Sequence, residues 1–207
     1  MSLATELHAL KASRSPADLL TKLHLVLVRA FLRQPALVEH FGYADDPERS
    51  RIAVTDAYTF NRADAEKRPF VVVSRGPWRW QNRTLGQRAP GGQFLAGVEH
   101  FEDLVDGATL CYCGSRSGVE AERLAELLWR FFPAVRGFIG DLNRKIHGPI
   151  LDFQGAELGS EALTLPTSDP ELVQVSVTTR YLLNLRWSTS LLTPVIEAIQ
   201  HCPVIEE

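Results

Sequence analysis

Three groups of residues in this 207-residue chain have types and spacings that could do chemistry. Cys111 and Cys113, with His100 or His147, would make half of a metal site. Zinc usually takes four ligands that arrive in closer pairs such as C-x2-C. Two cysteines one residue apart on a strand point to the same face and act as small apolar residues, so no metal site is expected. None of His8, His24, His40, His100, His147 and His201 has a carboxylate partner at a diagnostic spacing. The segment Gly114-Ser115-Arg116-Ser117-Gly118 stands between a strand and a helix, as a nucleophile elbow does, but its central residue is Arg116. It could hold an anion at the helix N-terminus, yet it lacks the Walker lysine and the G-x-G-x-x-G pattern. A turn followed by a helix cap accounts for it. No catalytic residue and no cofactor are assigned, and a protein that is not an enzyme is expected.

The third group is Arg75, Trp78, Arg79, Trp80, Arg83 and Arg88, basic residues interleaved with aromatics. Such a stretch can follow a nucleic-acid backbone and stack on bases. Tryptophan and arginine are also the residues most enriched at protein–protein hot spots. The third reading is a hairpin whose tryptophans enter the core while its arginines stay wet. A formal net charge of -3 gives no global argument for nucleic acid. Three cysteines in no framework spacing fit a reducing compartment. The start MSLATELHALKASRSP has no apolar signal core, and the longest apolar run, 19–32, is too short to cross a bilayer. A soluble intracellular protein is expected.

The element that must position these groups is the stretch 172–187, LVQVSVTTRYLLNLRW. Its odd positions, from Val173 to Trp187, are almost all apolar, and its even positions, among them Arg180, Asn184 and Arg186, are mostly polar. Alternation with period two marks a half-buried strand. At about 3.3 Å per residue the run reaches roughly 50 Å, against about 17–20 Å for an ordinary strand. It must bend across two sheets or project beyond its domain, where unpaired backbone invites another chain.

The remaining elements follow from caps, breakers and periodicity. Residues 1–14 form a loose lead-in. Ser15-Pro16-Ala17-Asp18 starts a helix that Pro35 stops. A short strand is expected near 52–58 and a dense one at 69–74. Gly76-Pro77 predicts a hairpin turn before Trp78-Arg79-Trp80. Residues 86–97 read as a loop, and 109–113 as a strand. Ser117 and Glu120 fit a capping box. The helix behind them buries Leu124, Leu127, Leu128, Phe131 and Phe132 and ends at Pro133. A strand at 146–153, split by Gly148-Pro149, precedes a loop over 155–170, and 190–207 holds a short helix and a tail. Hairpin spacings outnumber βαβ units. The prediction is a single α+β domain over 1–207: a mainly antiparallel or mixed β-sheet, two longer helices packed on one face, and long loops.

The order of elements, with the phrases RPFVVVSRGPWRW, SGVEAERLAELLWRFF, KIHGPIL and LVQVSVTTRYLLNLRW, resembles the tail terminator (tail-completion or neck) proteins of tailed bacteriophages, over about residues 16 to 190. Segments 43–68 and 84–108 match nothing in that pattern. The resemblance implies a structural virion protein, made in the host cytoplasm and residing in the tail or neck. It implies a homo-oligomeric ring of six that caps the tail tube and joins it to the head-side connector. Its partners would be the tail tube protein and the connector or adaptor, with DNA passing through the lumen without specific binding and no membrane involved. Carried onto this chain, it places Arg75, Trp78, Arg79, Arg83, Arg88, Arg180, Asn184 and Arg186 near subunit or partner contacts. Other readings are another head–tail joining or baseplate protein, a small cytosolic enzyme using the Gly114–Gly118 turn, and a DNA-binding module using the 75–88 cluster.

Overall fold

The computed structural model describes residues 16–60, 68–81, 98–145, 150–159 and 172–190. The N-terminal lead-in, Arg83 and Arg88, the whole 84–97 stretch and the C-terminal helix expected after residue 190 lie outside the described residues.

The first helix, α1 (Pro16–Leu32), begins on a proline whose fixed φ suits a first turn, with Asp18 beside it and Arg29 in the last turn. Leu20, Leu23, Leu27 and Val28 are buried on one side of it. A short 3-10 turn (Pro35–Leu37) and a four-residue helix, α2 (Val38–Phe41), follow. The sheet is built from β1 (Ala53–Asp56), β2 (Phe70–Gln81), β3 (Val98–Ser115), β4 (Ile150–Gly159) and β5 (Val173–Ser190). Its order is β1-β2-β3-β5-β4; β1 pairs parallel with β2, and every other pairing is antiparallel. The fold is thus α+β with a mixed sheet.

Both longer helices cover one face of that sheet. The second, α3 (Gly118–Ala134), buries Ala121, Leu124, Ala125, Leu128 and Phe132. These side chains share a cluster with Val28 and Leu32 of α1, Val71 and Val73 of β2, Cys111 and Cys113 of β3, and Val177 of β5. A second cluster joins α1 to Tyr181 and Leu183 of β5 and to Ile139. On the opposite face Phe70 and Val72 pack with Ala53, Ala57, Phe60, Tyr112 and Leu172.

Four features depart from the sequence reading. Gly76-Pro77 does not turn the chain: β2 runs through it, and the ladder slips between Arg75 and Trp78. A proline is tolerated in a strand at a bulge, and a β-carbon on Gly76 would lie 2.5 Å from Leu110 Cδ1 and 2.9 Å from the Ala108 carbonyl. The strand expected at 109–113 is the end of an 18-residue β3, whose acid-rich first half has a weak strand signature. The strand expected at 146–153 continues to Gly159, into what reads as loop. Pro133 lies inside α3, near its end, and a third helix, α4 (Arg136–Lys145), follows at once.

The long strand is solved within the chain. All of β5 pairs with β3, from Ser115 opposite Val173 to Val98 opposite Ser190. At about 3.3 Å per residue this ladder is roughly 60 Å long. Strand β2 accompanies it only to Gln81 opposite Leu104, and β4 only from Ile150 opposite Asn184. Residues 98–103 and 185–190 therefore continue as a two-stranded ribbon among the described residues.

Candidate functional site

Strand β2 aims its side chains to opposite faces, and this splits the arginine–tryptophan cluster. Trp78, opposite Gly107, packs into the helix-side cluster with Tyr181 and Leu183. A β-carbon at residue 107 would sit 3.0 Å from the indole, so the glycine opens the space the ring fills. The Trp78 Nε1 is buried without a hydrogen-bond partner among the described residues. Trp80 lies on the same side but is 58% exposed. Arg75 and Arg79 are exposed, and neither makes an ion pair among the described residues. The reading in which tryptophans enter the core while arginines stay wet thus holds for Trp78 and not for Trp80.

Arg180 points away from the helices at the middle of β5. Its Nε lies 3.3 Å from Glu157 Oε1 of β4, with 49% and 64% of the two side chains exposed. A pair this wet contributes little to stability. Asn184 stands between Leu104 and Ile150 in the ladder, and Arg186 opposite Glu102; their side chains are outside the description. Arg79 belongs to the row Arg79, Asp106, Leu182, Asp152. Arg75 and Arg180 fall in other rows, so the structure does not gather the chosen arginines into one cluster.

The Gly114–Gly118 turn is filled from inside. A β-carbon at Gly114 would come within 2.1 Å of the Phe70 ring, so that glycine serves packing. Ser115 is buried; its Oγ donates to the Glu120 carboxylate and accepts the Ser117 N–H at 3.2 Å. The expected capping box is replaced: Ser117 is the N-cap residue but makes no side-chain cap bond. A carboxylate of the protein itself thus occupies the first turn, where an anion would gain from the helix dipole.

Cys111 and Cys113 are free and fully buried. Burial pushes the Cys111 thiol up to about 12 and Cys113 well above its usual range. Neither has the electropositive, accessible setting of a reactive thiolate. Among the described residues no group of three His, Cys, Asp or Glu could hold a metal, and no helix is long and apolar enough to cross a membrane.

One polar constellation has little signal in the sequence beyond a histidine in an apolar helical stripe. His24 of α1 is fully buried. Its Nδ1 lies 2.8 Å from the Leu20 carbonyl, which can only accept, so Nδ1 carries the proton. Nε2 then accepts from the Tyr181 hydroxyl at 2.8 Å, with Thr179 Oγ1 at 2.9 Å. Thr179 in turn donates to the Thr109 carbonyl at 3.2 Å. Phe132 and Tyr181 flank the imidazole, with ring centroids 5.0 and 5.4 Å away. Desolvation lowers the His24 pKa to about 4, against the opposing pull of the Leu20 carbonyl. Burial likewise raises the Tyr181 pKa. The side chains could form a proton relay, but they are sealed beneath α1 and α3 and instead fasten α1 to the central strand. A shallow cleft of about 140 Å³ near Tyr43, Asp45, Ser50, Thr55, Phe60 and Arg68 lies elsewhere, with Arg33 bound to Asp45.

No protein-family model matches this chain, and no curated protein matches it.

Proposed function

We propose that this protein is a structural component of a tailed-phage virion: a ring that caps the tail tube and joins it to the head-side connector. The observation that carries the reading is the β3–β5 ladder, 18 residues in each strand, which among the described residues outruns both flanking strands. A two-stranded ribbon alone is marginally stable in water, and its outer backbone groups suit pairing with further chains. The same long strand is part of the resemblance to tail terminators. Two polar side chains considered for chemistry are held by the fold: Ser115 by Glu120, and His24 by Leu20, Thr179 and Tyr181.

The test is molar mass by light scattering across a concentration series, on protein freed of nucleic acid. A discrete particle of six chains is the expected result. A monomer at every concentration would overturn the ring. Binding to DNA that weakens steeply with salt would replace it by the nucleic-acid reading.

A further inference from the structure

Beyond the bulges of β2 and β4, four consecutive rows cross the sheet from β2 to β4. They are Trp78-Gly107-Tyr181-Phe153, Arg79-Asp106-Leu182-Asp152, Trp80-Val105-Leu183-Leu151 and Gln81-Leu104-Asn184-Ile150. Each row starts at a strand with no outer partner among the described residues, because β1 pairs only with 70–73. Each ends on β4, the last strand at the other side of the sheet. In one of these rows the two margins carry opposite charge. Arg79 is exposed at the β2 end, and Asp152 is exposed at the β4 end of the same row.

Elsewhere each margin carries a side-chain hydrogen bond to its backbone. Arg29 Nη2 donates to the Val54 carbonyl at 3.0 Å, occupying β1. Trp129 Nε1 donates to the Ala156 carbonyl at 2.9 Å, occupying the later half of β4 beyond its bulge. Among the described residues no strand pairs with the outer side of 74–81 or of 150–154, the two stretches in which these four rows end. Strand β4 is antiparallel to β2 through the intervening pairings, so a β4 laid beside β2 makes an antiparallel ladder with the sheet's own twist.

We infer that copies of this chain join head to tail by continuing the sheet, with 150–154 of one copy laid along 74–81 of the next and Asp152 beside Arg79. The inference rests on the ring reading above and specifies the contact. The occupant is a second copy, because the complementary edge, charge and strand direction all lie on this chain. The joint is heterologous, so it forms a ring where the rotation per step closes. It would cover Trp80, which is 58% exposed at the β2 margin, and tryptophans in that position are frequent interface anchors. Pro77 has no N–H, so the new ladder skips that position.

Reversing one charge makes copies meet like with like, whereas reversing both restores complementarity. Arg79→Glu alone and Asp152→Arg alone should each raise the concentration for half-assembly roughly tenfold or more, and the R79E/D152R double variant should return to about the wild-type value. Unchanged assembly in both single variants, or no recovery in the double variant, overturns the inference. A cross-link gives a second readout in a Cys202→Ser background, where Cys111 and Cys113 are buried. Mixing an Arg79→Cys chain with an Asp152→Cys chain under mild oxidation should give a covalent dimer that neither gives alone. A dimer from either chain by itself means a two-fold contact and overturns the head-to-tail arrangement. A six-chain particle indifferent to every substitution keeps the ring and removes this contact, whereas a monomer throughout removes both.

Discussion

Acid should undo this fold through one histidine before its carboxylates finish titrating. His24 has a pKa near 4 in the folded protein, lowered from 6.5 by desolvation. The folded state therefore holds the imidazole neutral, and the unfolded chain takes a proton as the pH drops below 6.5. Stability from this group is complete above 6.5, falls between about 6.5 and 4, and is flat below. At 1.36 kcal/mol per pKa unit the whole loss is about 3 kcal/mol, with a slope approaching about 1.4 kcal/mol per pH unit in mid-window. A loss of that size is a substantial part of the 5–15 kcal/mol typical of a domain. The assay is urea unfolding at closely spaced pH values from 8 to 4, for the native protein and for His24→Gln. Carboxylates contribute to both curves, so the difference between them isolates the imidazole. The variant is expected to be less stable at pH 8, since the Tyr181 hydroxyl loses its acceptor, and to converge on the native protein toward pH 4. Parallel curves across the window would refute the neutral buried imidazole.

Three further outcomes follow from the packing. Gly114→Ala drives a methyl into the Phe70 ring and should cost about 1–3 kcal/mol, measured by denaturant midpoint, with part recovered when Phe70→Leu is added. Leu128→Ala empties a fully buried position between α3 and the sheet and should cost about 2–5 kcal/mol; a loss below about 1 kcal/mol would mean that stripe is not core. Cys111 and Cys113 should stay inert to a thiol reagent at pH 8 in the folded protein and react only on unfolding, so fast labelling of either in native conditions would contradict the burial.

What could be read from the sequence was what depends on local periodicity. The alternation in 172–187 marks β5, and its odd side does meet the helices: Val177, Thr179, Tyr181 and Leu183 are all buried. The stripe through Leu124, Leu128 and Phe132 likewise marks α3. The misses came where partners override local preference. Residues 98–108, with Glu99, Glu102, Asp103 and Asp106, have poor strand propensity and are held extended by the ladder to β5. Gly76-Pro77 has the composition of a turn, but β3 keeps pairing on both sides of it and turns it into a bulge. His24 meets Tyr181 across more than 150 intervening positions, a distance at which no spacing rule operates. The candidate site was legible as a list of arginines but not as an arrangement, because a row across the sheet combines residues from four separate strands.

Among the described strands β5 comes last in the chain, yet it lies inside the sheet, between β3 and β4. Until it is made, β1, β2 and β3 can assemble on one side, while β4 has nothing to join. Both central ladders then close in a single late step, with Val98 reaching Ser190. Pairings so distant along the chain are slow to form, and in the interval β3 offers a long naked margin. A chain still being synthesised thus lacks the strand that lies between β3 and β4, and with it the Val177 contact to the α3 cluster. Any row that spans the whole sheet therefore comes into being only when that strand arrives.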